Sequence, residues 1–190
     1  MEKIVIVGGV AGGMSAATRL RRLKEVAEII IFEKGPFVSF ANCGLPYAIS
    51  GEIEERDALL VQTPEALKKR FNLDVRPLHE VLAIDPEEKT VTVKHGEQVF
   101  TESYDALILS PGAKPLVPAI KGLEEATNAF SLRNVPDLDQ IMALLEDKQP
   151  QKATIIGAGF IGLEVAENLH KKGLQVTIVE KAPHVLPPLD

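Results

Sequence analysis

The sequence predicts an α/β fold with two doubly wound units, the second truncated, and three observations carry that prediction. Lys3-Ile4-Val5-Ile6-Val7-Gly8 and Ala153-Thr154-Ile155-Ile156-Gly157 are both β-branched runs that end in glycine. Each leads into a helical stretch. Each stretch is then followed by an apolar run closed by an acid and a lysine: Ile29-Ile30-Ile31-Phe32-Glu33-Lys34 and Val176-Thr177-Ile178-Val179-Glu180-Lys181. Strand, glycine turn, helix, strand, written twice, is the pattern of two βαβ units.

The elements follow in order. Met14 to Lys24 reads as an amphipathic helix, with Ala16, Ala17, Leu20 and Leu23 expected to face the sheet. Pro64 to Phe71 is predicted helical, with Thr63 as its cap. Thr90 to Val93 and Gln98 to Thr101 alternate apolar and polar residues around His95-Gly96-Glu97, a hairpin signal. Tyr104 to Leu109 reads as a buried strand stopped by Ser110-Pro111-Gly112, and Asp137 to Leu145 as a helix. The expected organisation is a first domain over 1–112, with a hairpin insertion near 90–101. A connector and the start of a second domain follow over 113–190. Two parallel strands and one helix cannot cover a doubly wound sheet on both faces, so the remainder of the second unit is expected to lie beyond residue 190.

Composition narrows the function classes. Lys plus Arg total 21 against 27 Asp plus Glu, a net charge of −6, which argues against a general nucleic-acid or membrane-surface role. No apolar run approaches the roughly 20 residues that span a bilayer. Ile4 to Val7 is too short for a signal-peptide core, so the cytoplasm is the expected compartment. No metal-ligand cluster stands out.

Gly157-Ala158-Gly159-Phe160-Ile161-Gly162 follows a strand and opens a helix. In such a loop the first glycine allows the tight turn, the second lets a pyrophosphate approach the backbone, and the third permits close helix–strand packing. The helix N-terminus offers free N–H groups to the phosphates. Glu180 is spaced to accept from a ribose diol and to repel a 2′-phosphate, favouring NADH over NADPH, with Lys181 partly offsetting that preference. Gly8-Gly9-Val10-Ala11-Gly12-Gly13 departs from the pattern, because Val10 replaces the middle glycine. Glu33 is again correctly spaced for a ribose.

Two further features admit two readings each. The lone cysteine, Cys43, is flanked by small and polar residues at a point that could open a helix. It is either a buried structural residue or a reactive thiolate favoured by a helix N-terminus. Ser15, Arg19 and Arg22 line one exposed stripe of the first helix. Paired guanidinium groups suit a phosphate-rich ligand, although by itself the stripe reads better as a solvated charged face.

The order of these motifs resembles a known family. Glycine cluster, acid, Ser39-Phe40-Ala41-Asn42-Cys43-Gly44-Leu45-Pro46-Tyr47, Ser110-Pro111-Gly112-Ala113 and then the second cluster are similar to the single-cysteine pyridine nucleotide–disulfide oxidoreductases. Within them the match is to coenzyme A-disulfide reductases and NADH-dependent persulfide reductases. The resemblance implies that the first unit binds FAD, through Gly8 to Gly13, Glu33, Lys34 and Ser110 to Gly112. It implies that the second binds NADH or NADPH, through Gly157, Gly159, Phe160, Ile161, Gly162 and Glu180. Cys43 would be the redox-active nucleophile, with Ser39 and Asn42 lining its pocket. Ser15, Arg19 and Arg22 would contact coenzyme A as substrate or bound ligand. A small-molecule disulfide or persulfide and a homodimer of the full-length protein are also implied; the 190-residue chain by itself is expected to be inactive. Related NADH oxidases and peroxidases, whose cysteine cycles through sulfenic acid, are the alternative enzyme reading. A non-catalytic flavin-binding fragment is the alternative from another class. Ala11, where similar peroxidases carry histidine, and Gly44-Leu45-Pro46-Tyr47 favour the disulfide reading.

Overall fold

A computed structural model describes residues 1–186. Residues 187–190, to which the expectation of an interrupted second unit partly refers, lie outside them. In chain order the elements are β1 (Lys3–Val7), α1 (Ala11–Leu23), β2 (Glu28–Phe32), α2 (Leu45–Ser50), α3 (Pro64–Phe71), β3 (Asp74–Arg76), β4 (Glu80–Asp85) and β5 (Thr90–His95). They continue with β6 (Gln98–Ser103), β7 (Ala106–Leu109), α4 (Val135–Lys148), β8 (Lys152–Ile156), α5 (Phe160–Lys171) and β9 (Gln175–Val179). These form two compact units. The first comprises Met1–Phe40 and Leu60–Lys114; the second comprises Ala41–Leu59 with the chain from Pro115 onward. The sequence suggested one boundary near residue 112, whereas residues 41–59 group with the second unit.

The first unit is a parallel sheet in the order β3-β2-β1-β7. Its central strands carry the unbroken apolar runs Ile4–Val7 and Ile29–Phe32 because both faces are covered there. Ile4, Ile6, Ile29 and Ile31 pack with Met14 and Ala17 of α1 and Leu67 of α3. The alternate residues Val5, Ile30 and Phe32 pack with Val91 and Val93 of β5. Each such aliphatic side chain, fully withdrawn from water, contributes about 1.5–3 kcal/mol.

The expected hairpin is present as β5–β6, with β4 added as a third antiparallel strand. A register shift between Val81 and Ala83 breaks the period-2 pattern of β4, which hid it from the sequence reading. The strand expected to be buried, β7, is half-buried, with Leu109 55% exposed. It lies at the sheet edge and has β1 as its neighbour.

Helix α1 corrects one facing assignment. Ala17 is buried, but Leu23 is 63% exposed. Leu23 stands about 120° round the helix from Ala17, beyond the buried stripe. Arg21 holds that end of α1 instead. Its Nε donates to Phe71 O at 2.8 Å and its Nη2 to Asn72 O at 2.9 Å, tying α1 to the end of α3. Thr63 caps α3 as expected, accepting from Ala66 N.

In the second unit β8 and β9 pair in parallel. Helix α4 is longer than predicted at both ends. Asn134 and Asp137 form a reciprocal capping box at its start, and Gln149 ends it with φ 46°. Helix α2 packs against α4 and α5. Among the described residues Asn168, on α5, is the buried polar side chain; its Nδ2 donates to Glu164 O at 2.8 Å, and its Oδ1 has no partner. No helix among the described residues is long and apolar enough to cross a membrane.

Candidate dinucleotide loops and thiol site

Both glycine loops begin with a corner that only glycine enters without strain. Gly8 follows β1 with φ 102°, and Gly157 follows β8 with φ 105°. Gly8 N donates to Phe32 O and Gly157 N to Val179 O, each at 2.8 Å, so each corner is closed by the next strand. The last glycine of each cluster allows backbone-to-backbone contact. A Cβ on Gly13 would stand 1.8 Å from Gly8 O, and one on Gly162 would stand 2.1 Å from Gly157 O.

The acids grip these loops. Glu33 Oε2 accepts from Gly9 N at 2.6 Å and Oε1 from Gly35 N at 2.7 Å. Glu180 Oε2 accepts from Ala158 N at 2.7 Å and Oε1 from Ala182 N at 2.8 Å. The amides of Ala182 and then Ala158 hold the Glu180 carboxyl below the usual carboxylate range. Each carboxylate oxygen has a second lone pair, so both acids keep the capacity to accept from a ribose hydroxyl.

A third strut was not foreseen. Ser39 N donates to Gly9 O at 2.9 Å and Leu186 N to Ala158 O at 2.8 Å. Both residues hold positive φ, 50° and 51°. The signal was present in the sequence. Glu33-Lys34-Gly35-Pro36-Phe37-Val38 and Glu180-Lys181-Ala182-Pro183-His184-Val185 extend the repeat past the acids.

The loops also differ. Val10 and Gly159 are the N-caps of α1 and α5, and neither cap supplies a side-chain acceptor. The first-turn amides therefore face outward as donors for an anion. At Gly159 a Cβ would meet none of the described residues within 4 Å, which leaves the backbone open to a phosphate. At the first loop the surroundings are filled. A Cβ on Gly8 would stand 2.0 Å from Ser110 O, and one on Gly12 would stand 3.2 Å from Ser110 Oγ. Ser110 N donates to Val7 O at 2.7 Å, so the end of β7 belongs to this loop, with Pro111 and Gly112 exposed beyond it.

The remaining expected site residues divide between the units. In the first, Ser15, Arg19 and Arg22 are exposed on α1, and Lys34 Nζ pairs with Glu80 Oε1 at 2.7 Å. Ser39 belongs with the first glycine loop. Phe160 and Ile161, in the first turn of α5, are exposed. Cys43 is in the second unit, on the short 3-10 turn Asn42–Gly44 that leads into α2. It is exposed, which removes the buried structural reading. Asn42 beside it is half-buried. Gly44 closes this turn tightly, because a Cβ there would stand 2.7 Å from Leu59 Cδ2 and 3.0 Å from Ile53 Cδ1.

The arrangement defines a Rossmann-type α/β protein carrying a duplicated glycine-loop motif and one exposed thiol. Over residues 2–190 the chain matches the family model described as pyridine nucleotide-disulphide oxidoreductase, and it belongs to that family. It is 46% identical over 188 residues to a coenzyme A disulfide reductase of Staphylococcus aureus. That alignment takes in 97% of this chain and 42% of the relative. Among solved structures it is similar to the reduced CoADR-RHD of Bacillus anthracis, with 59% identity, a TM-score of 0.97, and coverage of 99% of this chain and 34% of that one. It is also similar to a NAD-dependent persulfide reductase from A. fulgidus, with 36% identity, a TM-score of 0.94, and coverage of 97% and 34%. The chain thus spans well under half the length of these relatives.

Proposed function

We propose that this chain is part of a flavoprotein that passes electrons from NADH, or NADPH, through FAD to a coenzyme A disulfide or persulfide, using Cys43 as its redox-active sulfur. The observation that carries the reading is the exposure of Cys43 on its turn, in a chain with two glycine loops that open onto helix starts without a side-chain cap. Membership of the family and similarity to coenzyme A disulfide reductases support it.

In this reading Gly8 to Gly13, with Ser110 to Gly112, would hold the FAD pyrophosphate at the start of α1, and Glu33 would bind its ribose while keeping the loop closed. Lys34 would lie beside that ribose. Gly157 to Gly162 would hold the nicotinamide dinucleotide at the start of α5, with Glu180 on the adenosine ribose. The two cofactors together supply a two-electron path from reduced nicotinamide to a sulfur–sulfur bond. The Cys43 thiolate attacks one sulfur of the disulfide, forms a mixed disulfide with one coenzyme A and releases the other as thiolate. Two electrons and a proton then return Cys43 to the reduced state and free the second coenzyme A. Ser15, Arg19 and Arg22 would hold the phosphates of that coenzyme A, and Asn42 and Ser39 would shape the surroundings of the sulfur. The full-length protein would act as a homodimer in the cytoplasm.

The test is NADH oxidation by full-length, FAD-loaded protein with coenzyme A disulfide. Wild type should consume NADH only when the disulfide is present, and Cys43→Ser should lose at least about 10³-fold, the scale of losing a covalent nucleophile. Equal turnover by both forms, or turnover with oxygen alone, would replace this reading with the oxidase one.

A further inference from the structure

The segment that carries Cys43 is poor in structure of its own. Between Ala41 and Leu59 it forms two 3-10 turns and the six-residue helix α2, well below the length at which a helix holds itself together. Its conformation must come from what it is fastened to. Leu45, Pro46, Ala48, Ile49 and Leu59 are buried, and Ala41 N donates to Leu59 O at 2.8 Å, closing the segment into a loop.

Two charged contacts then fasten that loop to the helices of its own unit. Arg56 Nε donates to Asp139 Oδ1 at 2.9 Å and Nη2 to Asp139 Oδ2 at 2.6 Å, a two-pronged pair with α4. Lys171 of α5 reaches Glu52 Oε1 at 2.5 Å, just past the end of α2. The hydrogen bond that Arg56 donates to Asp139 raises its pKa further, and those that Lys171 donates to Glu167 and then Glu52 raise that of Lys171, so both cations stay charged across the working range. A forked guanidinium–carboxylate pair fixes direction as well as distance, which a lysine contact does not.

We propose that Arg56, through Asp139, is a positioning residue for Cys43: the pair fastens the thiol-bearing loop to α4 and thereby sets where the sulfur stands for its disulfide substrate. Arg56 touches no reacting atom in this account. It governs the sulfur step alone, because the corner and acid contacts that close the second glycine loop do not involve it. The inference rests on the assignment of Cys43 as the redox sulfur.

The experiment compares full-length, FAD-loaded wild type with Arg56→Met, Asp139→Asn and Arg56→Lys. Hydrogen–deuterium exchange is read on the Asn42–Ser50 peptide, with Ile29–Phe32 of the first unit as an internal reference. The pair is half-exposed, so its loss should be modest: Asn42–Ser50 exchange faster by about two- to fivefold in Arg56→Met and Asp139→Asn, with Ile29–Phe32 unchanged. Arg56→Lys should recover part of the protection. The KM for coenzyme A disulfide should rise in the same range, while flavin reduction by NADH keeps its wild-type rate. Unaltered exchange in both Arg56→Met and Asp139→Asn, or an equal rise in both peptides, would overturn the proposal. If wild type shows no disulfide-dependent NADH oxidation, the functional reading fails instead, and the exchange comparison still decides whether the pair positions the loop.

Discussion

Gly8 and Gly157 occupy matching corners, with φ 102° and 105° and the same 2.8 Å bond to the following strand. Yet a Cβ at Gly8 would run into Ser110 O at 2.0 Å, whereas one at Gly157 would meet none of the described residues within 4 Å. The hydrogen-bond frame is written locally in the strand, the glycines, the acid and the proline after it, so it recurs wherever that pattern recurs. What surrounds the frame depends on distant chain. In the first unit α1 and α3 cover one face of the sheet and β5 the other, and Ile4, Ile6, Ile30 and Ile31 are no more than 2% exposed. In the second, where among the described residues β8 and β9 pair with each other alone, Ile156, Ile178 and Val179 are 37–53% exposed.

The sharpest way to break this comparison is to add one methyl group at each corner. Gly8→Ala suffers both the positive φ and the collision with backbone at Ser110, and should cost about 3 kcal/mol or more, or abolish folding of the first unit. In the 190-residue chain Gly157→Ala suffers the backbone conformation alone and should cost about 1–2 kcal/mol. Urea unfolding of each unit's signal measures both. Equal costs would mean that the filled and open surroundings do not matter.

A smaller effect separates the frame from its surroundings through pH. The Glu180 carboxyl is held below the usual range by the Ala182 and Ala158 amides. Its folded value lies below its unfolded one, so its contribution is present above the unfolded carboxylate pKa of about 4.3 and lost as pH falls through the depressed value. Amide exchange at Ala158 and Ala182 should therefore stay slow relative to its intrinsic rate at neutral pH and lose protection at acid pH. Glu180→Gln should remove that step, since a neutral amide accepts through one oxygen only. A step that survives in Glu180→Gln would place its origin elsewhere.

The smallest expected change lies in the core of the second unit. Asn168 is fully buried and its Oδ1 has no partner among the described residues. Replacing it with leucine removes a buried polar group that gains little, so Asn168→Leu should change the Tm, read by calorimetry, by no more than a few degrees in either direction. A loss above about 2 kcal/mol would show that Oδ1 has a partner that keeps the second core together.

Much of this was readable in the chain. The four strands β1, β2, β8 and β9 announce themselves as β-branched runs, and the glycine corners follow from their ends. Thr63 before Pro64 marks a helix start, and Asn134 with Asp137 would have marked another, since the box needs only those two residues at that spacing. The unreadable parts are those set by partners far off in sequence. β4 is disguised by its register shift, and the edge position of β7 depends on which strands join the sheet. That residues 41–59 pack with the second unit depends on α4 and α5, which lie some hundred residues later. For the candidate site, the glycines, the acids and Cys43 stood out by type and spacing. The exposure of Cys43, the carboxylates turned onto the loop amides, and the Arg56–Asp139 fastening needed three dimensions.

The division of labour between the two loops is best tested at Gly159, where an added Cβ meets no atom of the described residues but would occupy the backbone face offered to a phosphate. Full-length Gly159→Ala should fold, retain FAD with an unchanged flavin spectrum, and lose at least tenfold in the rate of flavin reduction by NADH measured by stopped flow. Wild-type reduction kinetics in Gly159→Ala, or loss of the flavin itself, would contradict the assignment of the second loop to the nicotinamide dinucleotide and the first to FAD.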